Sequence, residues 1–106
     1  MKQYPGKYSG LTTLLTHYTE SDHAENAHIS PIYQNSVFTF KDVDSGAAIA
    51  GGEQPGFYYT RLNNPNHKQL ATKLAALEAW DLIKSQPERN PEEMVGGLVF
   101  ASGMAA

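Results

Sequence analysis

The chain has 106 residues, a length typical of one domain. Its 41% hydrophobic and 18% charged residues argue against both a disordered and a membrane-spanning protein. A net charge of -3 offers no basic surface for nucleic acid, and the lack of cysteine excludes disulfides and thiolate metal sites. No signal peptide opens the sequence, so we expect a cytoplasmic protein that contacts neither nucleic acid nor membrane.

The first 30 residues are polar and follow neither a helical nor a strand period. Leucines between residues 11 and 15 are compatible only with a short amphipathic turn. The three nearby histidines, His17, His23 and His28, are spaced by six and five residues. Metal binding on a helix prefers an i,i+4 pair, so we interpret them as ordinary surface or loop histidines and expect no metal site.

Residues 29–40 favour extended backbone, because they combine Pro31 with Ile32, Val37, Phe38 and Phe40. They predict an extended arm that contains a short strand. Residues 44–56 are rich in glycine and alanine and end in a Pro-Gly turn signal. We predict a loop here, with at most one helical turn over residues 45–49.

A helix is predicted from about residue 65 to residue 84. Asn64 is a good N-cap, and Pro65 suits the first helical position. An apolar stripe at helical spacing predicts the face that enters the core. Its members are Leu70, Leu74, Leu77, Trp80 and Ile83.

The last part of the sequence predicts a polar connection over residues 84–93 and a short buried strand over residues 96–101. Small residues that suit the start of a helix follow this strand. We therefore expect the chain to be the N-terminal part of a longer protein.

The strand-to-helix turn at Ser102, Gly103 and Met104 is a candidate phosphate cradle. Free amides at a helix start point outward, and the helix dipole adds partial positive charge. Gly103 would allow a phosphate to approach the backbone, and Ser102 would add a hydroxyl. The alternative is that this segment is only a turn.

A second candidate is the extended segment that contains Tyr59 and Arg61. Residues two apart on an extended backbone point the same way, so the phenol and the guanidinium would lie together. Such a pair suits a phosphate, because arginine offers a planar fork of donors and tyrosine offers one more. The alternative is a tyrosine that packs on the core beside a surface arginine.

Catalytic motifs are missing from the sequence. It contains no Gly-x-Ser-x-Gly elbow and no Walker or dinucleotide fingerprint. Its six lysines lie in polar sequence surroundings, unlike the apolar pocket that activates a nucleophilic lysine.

Four segments occur together in one order: residues 31–38, 55–66, 74–78 and 100–106. This series resembles the N-terminal quarter of the Cys/Met-metabolism family of pyridoxal-phosphate (PLP) enzymes. The family includes cystathionine γ-synthase, cystathionine γ-lyase, methionine γ-lyase and O-acetylhomoserine sulfhydrylase.

The resemblance implies an α/β fold of the type I aminotransferase-like class, incomplete in this chain, and a homotetramer of two tight dimers. Residues 1–62 would form an extended arm that contacts the neighbouring subunit, and residues 63–106 would begin the large PLP-binding domain. Tyr59 and Arg61 would reach the cofactor phosphate in the neighbouring subunit's site, and Tyr59 would also assist proton transfers. The Ser102, Gly103 and Met104 turn would bind the phosphate within its own subunit.

No lysine here matches the family's lysine that binds the cofactor covalently. The resemblance therefore predicts a fragment that is not catalytically competent alone, and whose remaining sequence lies in a companion chain or a missing C-terminal part. The complete enzyme would eliminate or replace the γ-substituent of methionine, cystathionine or an activated homoserine. The alternative is a non-catalytic binding or assembly module that pairs with an intact homologue.

Overall fold

The computed structural model describes Tyr8, residues 10–89 and residues 91–106, with only the backbone of Ser21. The beginning of the predicted arm, residues 1–7 and Ser9, lies outside the described residues, as does Asn90 in the predicted polar connection. The described residues contain four α-helices: α1 (Leu11–His17), α2 (Val43–Ala50), α3 (Pro65–Glu78) and α4 (Trp80–Ser85). Three short 3-10 turns accompany them, at Glu20–Asp22, Ala24–Asn26 and Pro91–Glu93. None of the helices in this part of the chain is both long and apolar enough to cross a bilayer.

A small core forms where α1 packs on α3 and α4. The buried residues share one cluster: Tyr8, Leu14, Tyr18, Ala76, Ala79 and Ile83. The rings of Tyr8 and Tyr18 meet edge to face, with centroids 6.4 Å apart. Lys84 Nζ donates to the Tyr8 carbonyl at 3.1 Å and lies 4.6 Å from the centre of the Trp80 ring. The predicted turn at residues 11–15 is therefore a complete helix, and tertiary packing stabilises it.

The predicted helix over residues 65–84 is confirmed, but Ala79, at φ −85° and ψ 9°, divides it into α3 and α4. Asn64 caps α3 as expected, since its side-chain oxygen accepts from the Asn66 amide at 2.9 Å. Pro65 is the first helical residue.

The predicted core face of this helix is only partly correct. Ile83 is buried, but Leu70 and Leu74 are each 49% exposed and Leu77 is 38% exposed. The buried face carries Ala76 and Ala79 instead, because small side chains let α1 approach the backbone closely. Within the described residues, nothing buries the leucine face.

The loop at residues 44–56 contains more helix than predicted. Asp42 accepts a hydrogen bond from the Ser45 amide at 2.7 Å, and this cap starts α2 earlier than the sequence suggested. Hydrogen bonding to Ser45 also lowers the pKa of Asp42. Gly46 allows the Phe40 ring to pack on the helix, since a Cβ at this position would lie 2.8 Å from the ring.

Residues 29–40, hereafter called the arm, make one isolated antiparallel bridge, between Val37 and Tyr59, in place of the predicted strand. The bridge is held by two hydrogen bonds: the Phe38 amide donates to the Tyr58 carbonyl at 3.1 Å, and the Thr60 amide donates to the Ser36 carbonyl at 2.8 Å. The rings of Tyr33, Phe38 and Phe57 pack in sequence behind it, with centroids 6.5 and 5.6 Å apart.

Two asparagine side chains fasten the arm to the start of α3. Asn66 accepts from the Tyr33 amide at 2.8 Å and donates to the Pro31 carbonyl at 2.7 Å. Asn64, which is 3% exposed, donates to the Tyr33 carbonyl at 3.1 Å. Both backbone groups of Tyr33 are thus paired with side chains, which replace the strand partner that this residue lacks.

The prediction of a strand over residues 96–101 is wrong, because these residues form no strand. Its backbone is unpaired because the described segment beside it is the helix α3 and not a strand, and a parallel strand needs a strand neighbour. The residues that follow form a turn and not the start of a regular helix. The described residues thus show helices and one bridge, and the α/β class remains a prediction.

Gly97 lies directly against α3. A Cβ at this position would lie 2.3 Å from the Ala71 carbonyl oxygen, a backbone atom that cannot rotate away. Gly96 is a contrasting case, because a Cβ there would meet nothing within 4 Å. Of these two residues, only Gly97 therefore requires glycine for its packing.

We predict that Asn66→Ala destabilises the arm. The change would leave the Tyr33 amide and the Pro31 carbonyl without their partners, at a cost of about 1–3 kcal/mol. Urea unfolding measures this cost, and faster hydrogen exchange of the Tyr33 amide locates it. Gln34→Ala is the matched control, since Gln34 is exposed and its side chain makes no hydrogen bond to a described residue. Equal stabilities of the two variants would contradict the role of Asn66.

We also predict that Gly97→Ala destabilises the chain by about 1–3 kcal/mol, the usual cost of overpacking. The new methyl group would force residues 96–101 away from α3. Gly96→Ala should be nearly neutral, and the difference between the two free energies of unfolding is the quantity to measure. If both substitutions have the same effect, the contact between Gly97 and Ala71 does not hold this segment.

Candidate cofactor-binding site

The segment Tyr59–Arg61 begins at the bridge, in which Tyr59 pairs with Val37. The Tyr59 carbonyl accepts from the amides of Leu62 and Asn63 at 3.0 and 3.2 Å, so Thr60 and Arg61 are the central residues of a turn that begins at Tyr59. The guanidinium carbon of Arg61 lies 5.6 Å from the centre of the Tyr59 ring. The two side chains are therefore neighbours, as predicted, but the predicted extended backbone ends at Tyr59 and the turn brings Arg61 beside the ring.

Both side chains are accessible. Tyr59 is 39% exposed, and Arg61 is exposed as well. Among the described residues, no carboxylate pairs with Arg61 and no acceptor takes a hydrogen bond from its guanidinium. The planar fork is therefore available to an anion from outside the chain.

The turn at Ser102 is open on its outer side. Ser102 accepts from the Ala105 amide through both its carbonyl, at 3.2 Å, and its hydroxyl, at 3.3 Å. The amides of Gly103 and Met104 make no hydrogen bond within the described part of the chain. Met104 is 98% exposed, and no atom lies within 4 Å of a Cβ built on Gly103. This geometry fits a phosphate oxygen, because the amides are free and nothing blocks the approach.

These two groups of candidate residues do not share a pocket. A cleft of about 680 Å³ runs between α3 and residues 91–101, and Arg61, His67 and Lys68 contribute to its wall. Tyr59 and the Ser102–Met104 turn are not among its lining residues. Ala101, the residue before Ser102, does line this cleft together with Arg61.

Sequence analysis missed Thr60, which lies between Tyr59 and Arg61. Its hydroxyl donates to the Asn35 carbonyl and accepts from the Asn64 side-chain amide at 3.4 Å. The signal that was available is the position of Thr60 between the two candidate residues, with a hydroxyl that can both donate and accept. The identity of its partners could not be inferred, because Asn35 is 25 residues away.

The histidines gather around one carboxylate. His17 Nδ1 lies 2.9 Å and His28 Nδ1 lies 3.4 Å from the same Glu20 oxygen, and the hydrogen bond with His17 lowers the pKa of Glu20. His23 Nδ1 is bonded to the Ala27 carbonyl at 2.8 Å. Across the described residues, no group of three or more histidine, aspartate or glutamate side chains has the geometry to hold a metal ion.

Tyr18 joins the core to the cleft wall. Burial raises the pKa of its phenol to about 12, and the negative charges of Glu92 and Asp22 add to this shift. The phenol is therefore a neutral hydrogen-bonding group at physiological pH.

Comparison with known proteins identifies the family. The profile of the Cys/Met metabolism PLP-dependent enzymes matches residues 12–106, and the chain belongs to this family. Pyridoxal phosphate is therefore the expected cofactor, and the family acts in sulfur amino-acid metabolism.

Several curated relatives share this region. An L-methionine gamma-lyase of Pseudomonas putida is 36% identical over 102 residues, which cover 94% of this chain and 22% of the relative. An L-methionine gamma-lyase of Porphyromonas gingivalis is 38% identical over 85 residues, with 80% and 21% covered. A homocysteine synthase of Schizosaccharomyces pombe is 36% identical over 59 residues, with 56% and 14% covered. The chain thus spans about a fifth of the length of the methionine gamma-lyases that it matches.

The raised pKa of Tyr18 predicts a loss of stability in alkali. From pH 10 to about pH 12 the unfolded chain releases this phenol proton while the folded chain keeps it. Stability therefore falls as pH rises through this window, because the folded state binds more protons. Urea unfolding between about pH 9 and about pH 11 measures the slope. Tyr18→Phe should reduce the slope and leave the part due to Tyr8, whose pKa is also raised by burial. An unchanged slope would argue against the burial of Tyr18.

Proposed function

We propose that this chain provides cofactor-phosphate contacts in a PLP-dependent enzyme that eliminates or replaces the γ-substituent of methionine, cystathionine or an activated homoserine. One observation carries the proposal. The exposed Arg61 fork, stacked beside Tyr59 and without a described acceptor, lies in the region that matches the family. An arginine without a partner in its own chain is suited to an anion that comes from elsewhere.

Each residue has a distinct part in this proposal. Arg61 binds two phosphate oxygens through its fork, and the Tyr59 phenol donates a further hydrogen bond. Tyr59 also gives and takes a proton at its phenol oxygen during the reaction. When bound, pyridoxal phosphate supplies an electron sink for carbanion chemistry, and the protein supplies binding and orientation.

The Ser102 turn is the second contact. The free amides of Gly103 and Met104 would bind phosphate oxygens, and the Ser102 hydroxyl would remain close to them. We assign this turn to the phosphate in the same subunit, and Tyr59 with Arg61 to the phosphate of the neighbouring subunit.

The rest of the catalytic apparatus would come from outside residues 1–106. We propose that a companion chain or a further part of the protein provides the lysine that binds the cofactor, and that this chain alone is not competent. The complete protein would be a cytoplasmic homotetramer, a dimer of dimers, in which residues 1–62 reach the neighbouring subunit and residues 63–106 begin the large domain.

Arg61→Ala in the complete enzyme should weaken PLP affinity roughly 10- to 100-fold, the effect of losing one or two charge-assisted hydrogen bonds. Arg61→Lys should recover only part of this loss, since it keeps the charge without the fork. Equilibrium dialysis of the apoenzyme with PLP measures the affinity. Arg89→Ala is the matched control, because Arg89 is exposed and bonds only to Gln86 among the described residues. Equal affinities for Arg61→Ala and Arg89→Ala would refute the phosphate contact.

Subunit hybrids test whether the contact crosses the interface. An Arg61→Ala subunit is mixed with a subunit that lacks the cofactor-binding lysine. Each site would take its lysine from one chain and its arginine from the other, so one site of a mixed dimer carries both defects and the other carries neither. Mixed dimers should regain about half of the wild-type sites. Hybrids that stay inactive despite confirmed mixing would place Arg61 in the site of its own subunit.

A further inference from the structure

We propose that the hydroxyl of Thr60 is a positioning group that orients Tyr59 and Arg61 toward the phosphate. This inference rests on the proposed function of these two residues and adds a residue that the sequence motifs did not single out. Thr60 does not touch the phosphate in this proposal. It acts through the backbone of the two residues that flank it.

Thr60 is anchored on three sides. Its amide donates to the Ser36 carbonyl at 2.8 Å, and its hydroxyl donates to the Asn35 carbonyl. The same hydroxyl accepts from the side-chain amide of Asn64 at 3.4 Å. The hydroxyl therefore joins two separate elements, the arm and the residue that caps α3.

The hydroxyl holds the turn that carries Arg61 in place. A single bridge with two backbone hydrogen bonds resists rotation of the segment about its own axis less than a full ladder would. This segment also has no second strand neighbour in the described chain. Because Thr60 and Arg61 are the central residues of the turn that the Leu62 amide closes onto the Tyr59 carbonyl, the bonds that hold Thr60 also fix the backbone that carries Tyr59 and Arg61. The Thr60 hydroxyl is the only side-chain hydrogen-bonding group of residues 59–61 that is bonded within the described residues.

The anchor is itself rigid and shielded. Asn64 is 3% exposed, and its oxygen is fixed by the α3 cap while its nitrogen also donates to the Tyr33 carbonyl. Thr60 is partly buried, and so is its bond from Asn64, whereas its bond to the Asn35 carbonyl is exposed. Through Thr60 and Asn64, the backbone of Tyr59 and Arg61 is thus fixed relative to the first turn of α3.

Three variants of the complete enzyme test the proposal. Thr60→Val keeps the shape of the side chain and deletes the hydroxyl, and Thr60→Ser keeps the hydroxyl. Thr39→Val is the matched control, since Thr39 is an exposed arm residue whose side chain makes no hydrogen bond to a described residue. For each apoenzyme we would measure the affinity for PLP, the affinity for pyridoxal, which lacks the phosphate, and the thermal midpoint.

Thr60→Val should weaken PLP binding about 3- to 10-fold, the effect of one hydrogen bond, and leave pyridoxal binding unchanged. Thr60→Ser and Thr39→Val should stay within about twofold of wild type. Combining Thr60→Val with Arg61→Ala should weaken PLP binding little beyond Arg61→Ala alone, because residues that act through one contact are not additive.

The outcomes separate the two proposals. If Arg61→Ala weakens PLP binding and Thr60→Val does not, the positioning role fails and the phosphate contact stands. If Arg61→Ala itself has no effect, the proposed function fails. Equal losses of PLP and pyridoxal affinity in Thr60→Val, or a Thr60→Val protein that does not fold, would show that the hydroxyl serves the fold as a whole and would overturn the positioning role.

Discussion

The side chains of Asn64 and Asn66, on either side of Pro65, make the hydrogen bonds on which the arrangement of this chain depends. Each side-chain amide has an oxygen that accepts and a nitrogen that donates, on different sides of the group. Asn64 can therefore cap α3 through its oxygen while its nitrogen holds the arm. Without them, both backbone groups of Tyr33 would be unpaired, and the arm would be linked to the rest of the chain mainly by the isolated bridge. An apolar contact could not replace these bonds, because it would fix neither direction nor register.

Local signals in the sequence were sufficient where the structure is stabilised locally. Asn64 and Pro65 predicted the start of α3 because a cap and its first turn lie within a few residues of each other. The leucine stripe was predicted less well. Leu70, Leu74 and Leu77 follow helical spacing, yet the periodicity of a helix shows that a face is apolar and not which partner covers it. In the described chain the partner is α1, which lies on the alanine face.

Long-range pairing was the part that the sequence could not provide. The apolar composition of residues 96–101 suits a buried strand, but a strand exists only with a neighbour, and none is present in the described residues. The same limit applied to the candidate site. The two-residue spacing predicted Tyr59 beside Arg61, and the side chains are neighbours, although a turn and not extended backbone brings them together. It gave no sign that the Thr60 hydroxyl bonds to a carbonyl 25 residues away.

Thr60 and Arg61 differ in their hydrogen bonding: the Thr60 hydroxyl is bonded within the described residues, and the Arg61 guanidinium is not. In the proposed function Arg61 binds a phosphate in another subunit, which requires that it stay unpaired within its own chain, and an unpaired guanidinium on a flexible stem has no fixed direction. Here the direction comes from two sources that leave the fork free. The Tyr59 ring lies beside the guanidinium at 5.6 Å, and the turn and bonds around Thr60 fix the backbone on both sides. A salt bridge would have fixed Arg61 more firmly, but it would have occupied the donors that the phosphate needs.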